Sequence, residues 1–412
     1  MKVTRGYKTE LDLNKEQRTA CLKHAGCTRF AYNWGLARAI AAYRATGKRP
    51  NAIQLHRELN AMKKTDFPWM YEVSKCAMQE ALRDLDTAYK NFFRRLQRKR
   101  EGQWKGKPGF PVFKKKSKGI GSFRLTGSIH VFADSVQLPR LGRLRLHEHD
   151  YLPTGAKVLS ATVSEEAGRW FVSVQVEEEQ DVPERTATTA IGVDLGIKTL
   201  ATLSDGTTFE NPRALKRAQK GLRRLERQKS RRKNASQNRK KTCRKLAKQH
   251  ARVAHIRRDA THKLTTYLVK NHALVAIEDL NVAGMLKNHK LAQAVSDSNF
   301  GEIRRQLEYK AAWCGTHLVV LDRFYPSSKT CSACGWQDGE QTLADRVFIC
   351  QECGLVLDRD LNAAINLMNE ALRTTDSSSG SHACGQNSAG LLSGASETVL
   401  VEAGTNHCLG VS

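Results

Sequence analysis

Two Cys-x2-Cys-Gly knuckles, CSACG at 331–335 and CQECG at 350–354, restrict this chain more than any other feature in it. Fifteen residues separate the pairs, a spacing at which four thiolates close around a tetrahedral Zn2+. The glycine after each pair lets the backbone turn tightly around the ion. A thioredoxin-like redox centre needs only one such pair, so Cys331, Cys334, Cys350 and Cys353 read as one zinc site. Four thiolates leave no open coordination position, so this zinc is structural and any reaction needs another metal. The remaining cysteines stand singly at Cys21, Cys27, Cys76, Cys243, Cys314, Cys384 and Cys408, which fits a cytoplasmic chain and no disulfide framework. The start of the sequence lacks the apolar stretch of a secretory signal, and no apolar run reaches the 18 or more residues of a membrane span.

A second constraint lies in IGVDLGIKTLATLSDG, 191–206. Ile191, Val193, Leu195 and Ile197 read as a buried strand, Leu200 to Leu203 as another, and SDG as a turn after it. Asp194 interrupts the apolar run, and a lone buried carboxylate is costly unless something pairs with it. Two further acids stand at element ends: Glu278 closes the apolar strand LVAIE, and Asp360 opens the helix DRDLNAAINLMNEALR, where Asp358 competes with it. Carboxylates brought together repel, divalent cations relieve the repulsion, and hard oxygen ligands suit Mg2+ or Mn2+. Taken singly, Asp194 is as well explained by a salt bridge or a turn beside Gly196, Glu278 with Asp279 by an ordinary strand end, and Asp360 by a helix cap. As a set, the order Asp, Glu, Asp after a three-stranded meander fits a ribonuclease H-like sheet, on which two cations would clamp the attacking and leaving oxygens of a phosphodiester.

The rest of the chain divides by its periodicity. Residues 1 to 11 alternate as a strand. From Asn14 to Arg100 the pattern is helical, with Gly47 ending the first helix. WKGKPGFPVFKKKSKG, 104–119, is a basic loop carrying Trp104, Phe110 and Phe113, and 121–180 reads as strands of a small barrel or sandwich that the first strand can join. Between Arg213 and Arg258 stand twenty Lys and Arg against one acid, Glu226, in two helical stretches broken near SRRKNASQNRKK. Residues 373–412 are rich in Ser and Gly and read as a tail. With a net charge of +27, the chain is suited to a polyanionic partner.

GVDLGIKTLATLSDG, AIEDLN, FYPSSKTCSACG and CQECGLVLDRDLNAAINL together resemble the TnpB family, RNA-guided DNA nucleases encoded by insertion sequences and related to type V CRISPR effectors. The likeness runs from about residue 1 to 372, with RFAYNWGLARAIAAY and ALRDLDTAYKNFF matching the family's N-terminal helices. It implies an α+β multidomain chain: a wedge-like β-barrel (1–11 and 118–186) interrupted by a helical recognition lobe (12–117), then a ribonuclease H-like RuvC nuclease domain (187–325 and 356–372) with an inserted zinc ribbon (326–355). By the same match the third metal ligand is Asp360, the second Asp of DRD, and Asp194, Glu278 and Asp360 hold two Mg2+ ions. The resemblance also implies a guide RNA that pairs with double-stranded target DNA beside a short adjacent motif, and residence in the cytoplasm and on the nucleoid.

Candidate nucleic-acid contacts follow from both readings. Lys75 and Gln79 share a helix face, and the resemblance points them at the adjacent motif; a bland surface pair is the alternative. Lys114 and Lys115 belong to the aromatic loop, whose rings either stack on bases or anchor the loop. Arg223, Arg224, Arg231 and Arg232 lie in the basic stretch, as backbone contacts or a solvated face. Lys329, in SSK, either donates to phosphates or leads into the cysteine knuckle. Two other functions fit the same residues: a transposase performing strand transfer on the acidic triad, and a zinc-ribbon regulator that binds nucleic acid without catalysis.

Overall fold

The computed structural model describes residues 2–179, 189–342 and 345–378. These fall into two compact units, Lys2–Glu179 and the described residues from 189 to 378. The first is built on β1, Lys2–Asp12. Asn14 and Gln17 form a capping box that starts α1, Lys15–Thr46, and Gly47 ends it in the left-handed region, φ 68°. A second box, Asn51 with Gln54, starts α2, Ala52–Met62. Ser74 caps α3, Lys75–Arg100. Leu36, Leu55, Leu59, Met78, Leu82 and Leu85 make the interior of this helical group. The helices approach closely at Gly35, where an added Cβ would lie 2.5 Å from Leu82.

After the helices come β2 (Ser122–Leu125), β3 (His130–Val131), β4 (Ser135–Leu138), β5 (Gly142–Leu146), β6 (Lys157–Glu166) and β7 (Arg169–Glu179). All pairings are antiparallel, in the order β2-β6-β7-β1-β5-β4-β3. The first strand therefore sits between β7 and β5, and the helices are an excursion from this sheet. Phe123, Leu125, Val136, Leu144, Val172 and Val174 form its core, together with Cys21 and Ala25 of α1 and Ala77 of α3.

The second unit opens with an antiparallel meander: β8 (Ala190–Leu195), β9 (Thr199–Leu203) and β10 (Thr208–Glu210). A helical hairpin follows, α4 (Ala214–Arg231) and α5 (Gln237–Asn271). Then come β11 (Leu274–Glu278), the short helices α6 (Val282–Met285) and α7 (Ala292–Ser298), α8 (Phe300–Cys314) and β12 (His317–Leu321). β11 runs parallel to both β8 and β12, giving the order β10-β9-β8-β11-β12. A two-stranded ribbon, β13 (Val347–Ile349) and β14 (Val356–Asp358), leads into α9, Arg359–Ser378.

Strand alternation divides the five-stranded sheet between two cores. Ile191, Val193, Val275 and Ile277 pack with Leu264 and Leu268 of α5 and Ile303 and Leu307 of α8. Leu274, Ala276 and Leu321 pack with Leu367 and Ala371 of α9. Covered on both sides, β11 is a continuous apolar run. The helix α9 also passes beyond residue 372, where the sequence reads as tail. The Thr374 hydroxyl donates to Glu370 O at 3.0 Å and that of Thr375 to Ala371 O at 3.0 Å, so the polar stretch continues the helix to Ser378. Residues 379–412, including Cys384 and Cys408, lie outside the described residues.

Candidate active site

The parallel register aligns the first two acids. Ala190 to Val193 pair with Leu274 to Ile277, so Asp194 and Glu278 are the next residues along adjacent strands. Strand alternation puts them on the side of Gly192 and Ala276, the side that α9 covers. α9 lies directly on β8: a Cβ added at Gly192 would stand 1.9 Å from Ala364 O and 2.7 Å from Met368 N. Asp360 is one helical turn before Ala364, on the same stripe, and it thereby reaches the strand end where Asp194 stands. Asp194 feels the charge of both other carboxylates. The Asp194 carboxyl is pushed up to about 8, first by burial, then by the charges of Glu278 and Asp360, with Arg359 opposing.

The neighbouring acids are already engaged elsewhere. The Asp358 side chain accepts from the backbone N–H groups of Asp360 and Leu361, at 2.9 and 3.1 Å, so it is the cap of α9. Asp279 holds Arg304 at 2.6 Å and is also paired with Arg323. Glu278 accepts the Ser327 hydroxyl at 2.5 Å. Asp360 has guanidinium neighbours, Arg359 at 3.1 Å and Arg346 at 3.9 Å. Among the described residues Asp194 has no ion pair at all. This site therefore presents hard oxygen ligands and an excess of negative charge, the donor set of Mg2+ or Mn2+.

The four thiols are drawn tighter. Their sulfur atoms all lie within 4.8 Å of one another, Cys331 to Cys353 at 3.6 Å and Cys334 to Cys350 at 3.5 Å. A tetrahedron with Zn–S of ~2.3 Å has edges of about 3.8 Å, so the set fits one Zn2+. The knuckles are built alike: Gly335 N–H donates to Cys331 O and Gly354 N–H to Cys350 O, with φ of 81° and 72°. Cys331, Phe348 and Cys350 form a small core of their own with Trp336 and Leu355.

The cationic candidates belong to both units. Lys75 is exposed and Gln79 half-buried, one turn apart at the start of α3. Lys114 and Lys115 are exposed, but Lys114 Nζ sits 4.1 Å over the Tyr32 ring and its backbone is stapled both ways to Asn33. Trp104 lies under Arg95 and Arg98, and Phe110 packs edge-on against Tyr89 and Phe92, so both rings anchor their loop. Phe110 and Phe113 nevertheless remain 48% and 49% exposed. Arg223, Arg224 and Arg231 are exposed along α4. Arg232 donates to Asn238 O at 2.6 Å and staples the α4–α5 turn. Lys329 is exposed beside the first knuckle.

Sequence reading missed Asp297, 4% exposed, which accepts from the N–H groups of Leu215 and Lys216 and from Arg257 and so anchors the start of α4. It also missed Asn362 and Asn366, which hold the first knuckle. Two asparagines four residues apart on the apolar side of a helix were the available signal.

Fold and site describe a strongly basic α+β protein with a four-thiol ribbon and carboxylates at the ends of two adjacent parallel strands and at the start of the helix over them. Three family models match the chain: "Probable transposase" at 172–289, "Cas12f1-like, TNB domain" at 300–367 and "Helix-turn-helix domain" at 1–48. In the structure the last segment is β1 and the single helix α1. A Streptomyces pristinaespiralis protein named "Putative RNA-guided DNA endonuclease" is 38% identical over 374 residues, 90% of each chain. "Putative RNA-guided DNA endonuclease InsQ" of Escherichia coli (strain K12) is 34% identical over 386 residues, 89% of this chain and 92% of that one. The chain belongs to the TnpB family. Among solved structures, a Cas12f1–sgRNA–target DNA complex covers 90% of this chain and 100% of its own at 16% identity and a TM-score of 0.34. CasPhi-2 bound to crRNA and phosphorothioate-DNA covers 90% and 91% at 10% identity and 0.44. At those scores the likeness is loose, and nothing in the site rests on it.

Proposed function

We propose that this protein is an RNA-guided DNA endonuclease of a transposable element, cutting target DNA by metal-dependent hydrolysis. The observation that carries the reading is the register that sets Asp194 and Glu278 at the ends of adjacent parallel strands, with the helix of Asp360 laid over them. The order β10-β9-β8-β11-β12 supports a ribonuclease H-like, RuvC-type nuclease domain, into which the four-thiol ribbon is inserted. The names of the relatives supply the guide RNA and the DNA target.

Asp194, Glu278 and Asp360 would hold two Mg2+ ions, with Mn2+ as a substitute. Such a pair supplies Lewis acidity to the scissile phosphate and lowers the pKa of the attacking water. The chain's own work is positional. Asp358 caps α9 so that Asp360 is not needed as the cap, and Asp279 neutralises Arg304 and Arg323 so that Glu278 is not drawn to them. Cys331, Cys334, Cys350 and Cys353 would hold one structural Zn2+. Lys75 and Gln79 are assigned to the adjacent duplex motif, where a Gln side chain can pair bidentately with adenine. Lys115, Arg223, Arg224 and Arg231 are assigned to RNA or DNA phosphates. Lys114, Arg232 and Lys329, whose Nζ donates to Gly339 O at 3.4 Å, have local partners and are weaker candidates.

The test is to express the protein with the DNA downstream of its gene, purify it and sequence the RNA bound to it. The complex is then given Mg2+ and plasmids carrying a matching target beside randomised sequence, with Asp194→Ala as control. A discrete RNA, and cutting that needs both the match and Asp194, supports the guided nuclease. Joined DNA products point to strand transfer, and bound RNA without cutting points to a regulator.

A further inference from the structure

Residues 327–332 are tied to two of the three carboxylate-bearing elements at once. The Ser327 hydroxyl donates to Glu278 Oε1 at 2.5 Å, at the end of β11. The carbonyl of the same serine accepts from Asn366 Nδ2 of α9 at 2.8 Å. That amide also reaches Thr330 O at 2.6 Å, where it is joined by Asn362 Nδ2 at 2.7 Å. Asn362 Oδ1 accepts from Ser332 N–H at 3.0 Å. Thr330 and Ser332 flank Cys331, the first thiol of the four.

These side chains are sealed from solvent: Asn362 is 0% exposed, Asn366 4% and Ser327 3%. Amides buried on the apolar side of a helix weaken a fold unless their polar atoms find partners, and a leucine there would pack without that demand. Their partners are the backbone on either side of a thiol ligand, and their helix carries Asp360 two residues before Asn362. A surface contact between ribbon and helix would not need this bonding, nor a hydroxyl directed onto Glu278.

We propose that Ser327, Asn362 and Asn366 are positioning residues that transmit the closed form of the cysteine knuckle to the carboxylate site. The knuckle fixes the Ser327 hydroxyl, the hydroxyl fixes the Glu278 carboxylate, and the two asparagines hold the Asp360 helix against the same loop. The inference rests on the reading of Glu278 and Asp360 as cation ligands. Loss of such an outer partner weakens metal binding by about 10–100-fold in metal sites generally.

The experiment measures Mn2+ binding to the full-length, zinc-loaded protein freed of nucleic acid, by the loss of the free-ion electron paramagnetic resonance signal. Ser327→Ala and Asn366→Leu are expected to weaken Mn2+ binding ~10–100-fold with zinc content unchanged. Ser327→Thr, which keeps the hydroxyl, is expected to bind within a few-fold of the parent, by the same reasoning. Thr316→Val is the control. It removes a buried hydroxyl bonded to Val269 O and His272 O at the start of β12, the end opposite Glu278. It should lower the melting temperature and leave Mn2+ binding alone. If Ser327→Ala and Asn366→Leu behave as Thr316→Val does, the relay is overturned and the asparagines only hold the fold. If Asp194→Ala also binds Mn2+ like the parent, the carboxylate site itself is misread, and the relay falls with it.

Discussion

Gly192→Ala is the smallest change that separates the triad without touching a carboxylate. The added methyl would lie 1.9 Å from Ala364 O and 2.7 Å from Met368 N. Both are backbone atoms of a continuous helix, so no side chain can swing away. Restoring a contact beyond 3.0 Å requires α9 to move off β8 by about 1 Å or more. Overpacking of this kind costs about 1–3 kcal/mol, which in a unit of this size lowers the melting temperature by roughly 2–12 °C. The larger effect is on chemistry. Asp360 rides on α9, Asp194 on β8, and an ångström of misplacement costs ~100-fold in rate. Single-turnover cutting of a matched target at saturating Mg2+ reads the rate, and guanidinium melts read the stability. Gly221→Ala is the matched control. It lies inside α4 with nothing within 4 Å of the new methyl, and the helix should gain about 0.5–1 kcal/mol with no change in cutting. A Gly192→Ala protein that cuts and melts like the parent would refute the seating of α9 on β8, and with it the route by which Asp360 reaches Asp194.

Three further outcomes are expected. Glu278→Gln should abolish cutting, whereas Asp279→Asn, which only loosens the half-exposed Arg304 and Arg323, should lower it no more than ~10-fold and leave the melt almost unchanged; parallel cutting assays and melts of the two variants decide this. Removing Zn2+ with a chelator, or Cys331→Ser, should unfold residues 326–358 while the Lys2–Glu179 unit keeps its melt, as hydrogen exchange resolved along the chain would show. His24 sets a pH dependence in the first unit. Its Nδ1 donates to Ala20 O at 2.8 Å and its Nε2 accepts Ser74 N–H at 3.0 Å, so the ring must be neutral, and burial holds its pKa below the ordinary 6.5. A base with a depressed folded pKa stabilises fully above its unfolded value, and that stability is lost as pH falls below 6.5 toward the folded value. Unfolding free energies from denaturant titrations should therefore fall below pH 6.5 by up to about 1.4 kcal/mol per pH unit more in the parent than in His24→Gln, and equal slopes would exclude the ring as the cause.

What the sequence makes legible here is what acts over short distances. The helix stop at Gly47, the apolar run of β11 and the spacing of the four cysteines each specify structure within a few residues, and the structure has them. α6 and α7 were not legible, because helices of 4 and 7 residues are too short to show a period. Arg232 read as one cation among twenty, because its partner is a carbonyl that only a folded turn brings near. Asp297 was invisible in the same way, and Asn362 and Asn366 showed only as polar residues on the apolar side of a helix: their partners lie some 30 to 80 residues off. The run DRD shows where this limit falls. Asp358 and Asp360 carry the same carboxyl two residues apart, and both stand at a helix start. Local pattern can say that one of them caps the helix. Which one faces Asp194 depends on the stripe 360, 364, 368 lying on Gly192, and that choice is made by a strand more than 160 residues earlier in the chain.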